Sequence, residues 1–427
     1  MNRIILIGNG FDLAHGMLTS YRDFINNYWK ELLNELYSGN YHTNEFENEE
    51  LVIKFFNGYD LSTIDTYKKL IDKIANYDGK KIEIKFKNKF FEIISTNCFI
   101  NNWVDIENEY YSLLKASFKE KNCNYKIDSL NQDFYKIQKL LEEYLKKVET
   151  KFNEDFGKDI NSIRMRSNIG YKVYSDFKLK DFTESSINKK AELEFSKIQN
   201  DIKGLKDNQV EMSELKEENR NLISRIGENN PIKEIRKLLI SDSAPNNFLL
   251  QPEEILFLNF NYTFTEKIYS NHNEFESYHS NRGLKKKYIH IHGTTDKYDR
   301  NDVIFGFGDE IDEDYKSIEN LNNNEYLENI KSIKYLETDN YKQLLEFLNS
   351  GDYQIFIFGH SCGISDRTLL STLFEHKHCA SIKPFYHKRD DETDNYSDII
   401  RNISRNFNNK SNMRDKVVNK EYCESLK

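Results

Sequence analysis

The chain has 427 residues, 31% charged and 38% hydrophobic, with a formal net charge of −9. That length suits about two to three ordinary domains, and the acidic balance argues against broad nonspecific nucleic-acid binding. The five cysteines (Cys98, Cys123, Cys362, Cys379, Cys423) are scattered without a CxxC pair, and no apolar run approaches the ~20 residues of a membrane span; a soluble, cytoplasmic protein is expected.

Ile4-Ile5-Leu6-Ile7 leads directly into Gly8-Asn9-Gly10-Phe11-Asp12. A buried strand running into paired glycines is how parallel α/β proteins bring backbone close to a nucleotide phosphate, because the turn is tight and a Cβ would obstruct the ligand. No glycine stands at position 13, so this is not the common dinucleotide fingerprint, and a plain strand-to-helix turn is the alternative. The next regular segment is predicted from Thr19-Ser20, with Gly16 in the connecting loop. Tyr21, Phe24, Ile25, Tyr28, Trp29 and Leu32 form a helical stripe, and Ser20 with Asp23 resembles a capping box. Asp78-Gly79 signals a turn, after which Ile82, Ile84 and Phe86 alternate with charged residues as in a half-exposed strand. Trp103-Val104-Asp105-Ile106-Glu107 opens a helical stretch, and Phe134 to Phe152 carries an amphipathic stripe. From 155 to 240 the chain is charged and asparagine-rich. Helix is predicted from Ile187 to Ile226 and again from Pro231, which suits a first turn. No heptad seam persists.

Apolar runs then return at Ile255–Leu258, Tyr288–His292, Val303–Phe305 and Tyr353–Phe358. Nearly continuous apolar strands separated by helical segments predict a parallel sheet covered on both faces. The expected fold is α/β: a Rossmann-like parallel sheet built from 1–40 and 250–390, interrupted by a large, mainly helical insertion over 41–249. A polar, loosely packed tail is expected over 391–427.

Ligands in such sheets bind at the carboxyl ends of strands. Four strand ends here carry polar residues: Gly8-Asn9-Gly10, Asn259 to Thr263, His292-Gly293-Thr294, and Gly359-His360-Ser361 with Gly363, Ser365 and Asp366 behind. Each has a bland reading as a turn former or a satisfied histidine. Together they suit one crevice, which predicts a pocket shared by Gly8, Asn261, His290 and His292.

Five segments carry a resemblance: Gly8-Asn9-Gly10-Phe11-Asp12, Trp103-x-Asp105-x-Glu107, Phe257 to Thr263, His290-Ile291-His292-Gly293, and Phe358-Gly359-His360-Ser361 through Asp366. In that order they closely resemble the bacteriophage abortive-infection AbiH family, nearly end to end and weakest over 155–245. This implies a bacterial anti-phage protein, with a phage-derived trigger or partner protein and a homo-oligomer as its expected associations. The chain is also distantly similar to sirtuin-like NAD-binding domains, including those of bacterial defence NADases. Gly8, Gly10 and Gly16 match their glycine loop, Asn261-Tyr262 their Asn-bearing motif, His292-Gly293 their His-Gly pair, and Gly359-His360-Ser361 to Asp366 the segment closing the nucleotide site. Asn9 stands where those domains have alanine, and Thr263 where they have aspartate.

The second resemblance implies cleavage of the nicotinamide–ribose bond, with NAD as substrate and no metal. His292 would act as base, Asn261 would orient water or ribose, and Asp12 would position a ribose or stabilise developing positive charge. Gly8, Asn9, Gly10 and Phe11, with Gly359, His360, Ser361 and Asp366, would hold the nucleotide, the glycine amides taking the pyrophosphate. Asp105 and Glu107 are secondary candidates; residues at i, i+2 do not face each other on a helix, which argues against a paired-carboxylate role, and charge at a helix N-terminus is the alternative. Three rivals stand beside this reading. Gly359-His360-Ser361-Cys362-Gly363 matches a nucleophile elbow with Ser361 as nucleophile, Asp366 as acid and His376, His378 or His387 as base, although few residues follow for further sheet strands. His290 and His292 at i, i+2, with Asp296 or Asp309, would suit a metal-dependent nuclease. A pocket that only senses a nucleotide is the third.

Overall fold

The structure is a computed structural model and describes residues 1–427 except 39–44, 56–65, 77–81, 120–124, 228–229, 276–282 and 297–300. The turn expected at Asp78-Gly79 lies outside the described residues. The chain begins with β1 (Asn2–Ile7), α1 (Asn9–Ala14) and α2 (Tyr21–Ser38). An antiparallel sheet follows, made of β2 (Glu45–Glu47), β3 (Leu51–Phe55) and β4 (Ile82–Phe86), with α3 (Tyr67–Asn76) before its last strand. The helices α4 (Lys89–Asn101), α5 (Ile106–Lys119), α6 (Ile127–Asp155), α7 (Ile160–Val173), α8 (Glu184–Lys206), α9 (Glu217–Ile226) and α10 (Pro231–Leu239) come next. The chain then runs through β5 (Glu254–Asn259), β6 (Lys285–His290), α11 (Glu313–Glu319), α12 (Lys331–Lys334), α13 (Asn340–Asn349) and β7 (Tyr353–Phe358). It closes with α14 (Arg367–Glu375), β8 (Cys379–Phe385), α15 (Tyr396–Arg405) and α16 (Lys410–Lys416).

The main sheet is parallel throughout, in the order β6-β5-β1-β7-β8. Ile4 of β1 lies opposite Leu256 and Ile355, so the strands at Ile4 and Ile255 share one sheet, as the Rossmann-like reading requires. Counted along the chain, the five strands run 3-2-1-4-5 across the sheet, and the order reverses between β1 and β7. That reversal opens a crevice beyond the strands' carboxyl ends. The strands are apolar on both faces because both are covered. Ile4, Leu6, Leu258 and Ile357 face one core, and Ile5, Ile7, Phe257 and Phe358 the other. A third core joins α2, α4, α5 and α6 to the antiparallel sheet around Trp29, Phe91 and Phe134.

Several local expectations are met. Ser20 and Asp23 exchange the two capping-box bonds at the start of α2, and Pro231 sits in the first turn of α10. Others are corrected. Regular structure after Gly10 does not wait for Thr19: α1 starts at Asn9, with Gly8 as its N-cap. The helix expected from Ile187 to Ile226 is broken between α8 and α9, where Asn208 takes a left-handed φ of 51°. Val303–Phe305 is no strand. Phe305 stacks on Phe134 at 4.6 Å, so the end of this run is spent on helix packing, while Ile304 joins the sheet's core. β6 ends at His290 and the chain turns before His292. The segment after 390 is not loosely packed: Ile399, Ile403 and Phe407 enter the sheet's core and Leu426 the opposite one. Its polar composition hides an i, i+4 pair that buries one face of α15. Among the described residues, no helix is long and apolar enough to cross a membrane.

Candidate functional site

The segments after β1 and β7 meet directly across the crevice. The Gly8 amide donates to the Phe358 carbonyl at 3.1 Å, and the Gly10 amide to the Gly359 carbonyl at 2.8 Å. A Cβ on Gly8 would lie 2.5 Å from the His360 Cα, and one on Gly10 2.7 Å from the Gly359 oxygen. Gly359, at φ 71°, would drive a Cβ to 2.0 Å from the Phe11 nitrogen. These glycines therefore let two pieces of chain touch. The expectation that Gly8 and Gly10 make room for a phosphate is corrected, since the Gly8 and Gly10 amides are already spent on carbonyls. Phe11 is corrected too. It is 1% exposed and packs against His15 and Phe358, because the turn of α1 directs it under the sheet. Asn9 does face the crevice, and its Oδ1 accepts the Thr19 hydroxyl.

Above this junction lies a cleft of about 810 Å³. It is lined by Gly8, Asn9, Gly10, Asp12, Asn261, His292, Gly359, His360, Ser361 and Asp366 together with Glu107, while Arg22, Trp103, His387 and Lys388 stand at its exposed walls. Asp366 is the hub of its floor. The Asp366 Oδ1 accepts from Lys331 Nζ at 2.9 Å and lies 3.2 Å from His292 Nε2. His360 accepts the Cys362 amide on Nδ1, so its Nε2 carries the proton, 3.6 Å from Asp366 Oδ2. Lys331 is 1% exposed and also donates to Glu107 Oε2 at 2.8 Å.

Electrostatics follow from that wiring. Burial alone would raise the Asp366 carboxyl, but Lys331 and His292 hold it well below the usual carboxylate range. Glu107 goes the other way: burial, reinforced by Asp366, outweighs Lys331 and raises it to about 7. Lys331 is held charged by the two carboxylates against the pull of burial. Burial, with Lys331 nearby, lowers His292 to about 4, so its ring is neutral at pH 7. Both its nitrogens are engaged, Nδ1 with the Phe260 carbonyl at 3.2 Å and Nε2 with the Tyr335 hydroxyl at 3.1 Å.

Asp12 and Asn261 reach the cleft with partners of their own. Asp12 accepts hydroxyls from Thr263 at 2.6 Å and Thr265 at 2.7 Å. Burial nevertheless raises it to about 6. Asn261 Nδ2 donates to the Gly8 carbonyl at 3.1 Å, tying the loop after β5 to the end of β1. Thr263, unusual by the sirtuin-like pattern, is thus the clamp on Asp12.

The shared pocket expected for Gly8, Asn261, His292 and His290 holds for three of them. His290 lines a second cleft of about 470 Å³ with Tyr288, Asn301 and Asn340, and pairs with Glu266 at 3.0 Å. The strand ends at His290, so 290 and 292 do not share a strand face. Asp309 pairs with Arg367. Among the described residues, no three His, Cys, Asp or Glu side chains are arranged to hold a metal ion. The elbow geometry also fails. Ser361 has no positive φ, whereas Gly359 (φ 71°) and Cys362 (φ 56°) do, α14 starts only at Arg367, and His378 pairs with Asp352 before β7, at the other end of the strand. Asp105 accepts the Asn108 amide at 3.0 Å as a helix cap, while Glu107 turns into the floor. Lys331 carried no signal in the sequence, because Ile330-Lys331-Ser332-Ile333 reads as ordinary surface helix.

The profile of the family described as "Bacteriophage abortive infection AbiH" matches residues 4–187 and 172–387. The chain belongs to this family. No curated protein and no solved structure matches it. Family membership assigns this AbiH-family protein to bacterial phage abortive infection. The matched residues hold the whole floor, Glu107, His292, Lys331, His360 and Asp366, whereas the cleft wall from Lys388 onward lies beyond them.

Proposed function

We propose that this AbiH-family protein acts in phage defence by binding NAD in the cleft and hydrolysing its nicotinamide–ribose bond. One observation carries the reading: a cleft at the sheet's switch point combines exposed cations, Arg22 and Lys388, with a carboxylate floor, Glu107 and Asp366. Exposed cations suit a pyrophosphate. Buried carboxylates suit the positive charge that builds on the ribose as the bond breaks. The C1′–N bond cleaves with its electron pair going to the nicotinamide nitrogen. Water then attacks C1′ and gives a proton to a base, leaving ADP-ribose, nicotinamide and a proton. A base works best with its pKa near the operating pH. Glu107, at about 7, suits that role better than His292, at about 4. Asn261, just beyond the end of β5, orients the ribose.

A non-catalytic nucleotide sensor is the second reading, favoured by the engagement of both His292 ring nitrogens. Purified protein incubated with NAD, with nicotinamide release followed by chromatography and binding by calorimetry, separates them. Release supports the hydrolase, binding without release supports the sensor, and neither overturns both.

A further inference from the structure

Only two tryptophans occur in the chain. Trp29 is fully buried in the helical core, whereas Trp103 is 63% exposed and lines the cleft. Its display is built into the fold. Asn102 ends α4 in a left-handed conformation (φ 53°), Val104 is buried, and Ile106 opens α5 fully buried. The link between the helices is thus pinned on both sides of Trp103, and the indole is left facing the cleft. A large aromatic ring held exposed in a concave site, with cations on the same walls, is what stacking recognition of a nucleotide ring requires. The indole face also attracts a cationic ring more strongly than any other aromatic side chain does.

We infer that Trp103 is the stacking surface for the pyridinium ring of the nucleotide, so that the cleft selects an oxidised nicotinamide nucleotide. This rests on the nucleotide reading above. The ring brought against Trp103 is the leaving group of the proposed reaction, and stacking would fix its angle to the ribose.

The test uses carba-NAD, whose ribose ring oxygen is replaced by a methylene so that the glycosidic bond survives, and ADP-ribose, which lacks the pyridinium. Each is titrated by calorimetry into wild-type protein, Trp103→Ala and Trp103→Phe. Trp103→Ala should bind carba-NAD about tenfold more weakly while ADP-ribose affinity is unchanged, and Trp103→Phe should recover most of the loss. Carba-NAD should quench the emission of wild-type protein but not of Trp103→Phe, whose remaining Trp29 is buried. Equal carba-NAD affinity in wild type and Trp103→Ala overturns the inference and leaves the nucleotide reading intact. An equal loss for both ligands overturns it in favour of adenine stacking. Failure of wild-type protein to bind either ligand overturns the nucleotide reading, and the inference with it.

Discussion

Gly8 and His360 meet across the crevice so closely that a single added carbon on Gly8 would sit 2.5 Å from the His360 Cα. The contact is backbone against backbone, so no side-chain rotation relieves it. Gly8→Ala should therefore cost roughly 1–3 kcal/mol through overpacking and disturb the His360–Asp366 approach. Gly351 has nothing within 4 Å of its own added carbon, so Gly351→Ala should be close to neutral. Urea denaturation of both variants tests the claim, and equal stabilities would refute it.

Lys331 is the counterion of two buried carboxylates. Replacing it by Met leaves Glu107 and Asp366 facing each other without a cation, which should cost about 3–5 kcal/mol at pH 7. The loss should shrink on acidification. Without Lys331 both carboxyls are raised in the folded state, so the fold takes up protons that the unfolded chain does not, and stability rises as pH falls. Denaturation midpoints of Lys331→Met at pH 7.5 and 5.5 should converge on the wild-type values. A gap that stays constant or widens would contradict this wiring.

His15 gives a pH effect of opposite sign. Its ring bonds the Phe11 carbonyl at 2.7 Å and the Tyr269 hydroxyl at 2.6 Å, and burial lowers it to about 4. The unfolded chain titrates near 6.5, so between 6.5 and 4 it takes up a proton that the folded state refuses. This contribution is present above 6.5 and is lost as pH falls toward 4. Wild-type protein should lose up to about 3 kcal/mol more stability than His15→Phe between pH 7 and 4. Parallel stability curves for the two proteins would disprove it.

If NAD is the substrate, the floor residues should divide by role. Glu107→Gln should cost roughly 10²–10⁴ in nicotinamide release, as for a lost base. Asn261→Ala and His292→Ala should abolish NAD loss in cells, with circular dichroism confirming that each variant folds. Ser361→Ala should cost tenfold or less, at about 1 kcal/mol for one hydroxyl contact. Complete loss at Ser361 with little change at Asn261 would restore the serine-hydrolase reading.

The sequence by itself determined four strands of the parallel sheet, β1, β5, β6 and β7, and several of the helices, but not β8 or the antiparallel β2 and β3. Runs such as Ile4–Ile7 and Tyr353–Phe358 are apolar on both faces, and stripes such as Phe134 to Phe152 repeat at the helical period; both patterns are local, so they are legible without a partner. The same local logic misread Val303–Phe305, an irregular segment that divides its side chains between the helical core and the sheet's core, and α15, whose Ile399 and Ile403 are sparse among polar neighbours. The polar strand ends were also legible, which brought Gly8, Asn261, His292, His360 and Asp366 to notice. Only the tertiary structure decided what those residues do. Gly8 and Gly359 make room for each other's chains. Glu107, only a secondary candidate by sequence, and Lys331, unremarkable in a short helix, become the charged floor because α5 and α12 bring them within 3 Å of each other across 224 residues of sequence. Burial and charge pairing depend on distances between elements, and no run of residues encodes those distances by itself.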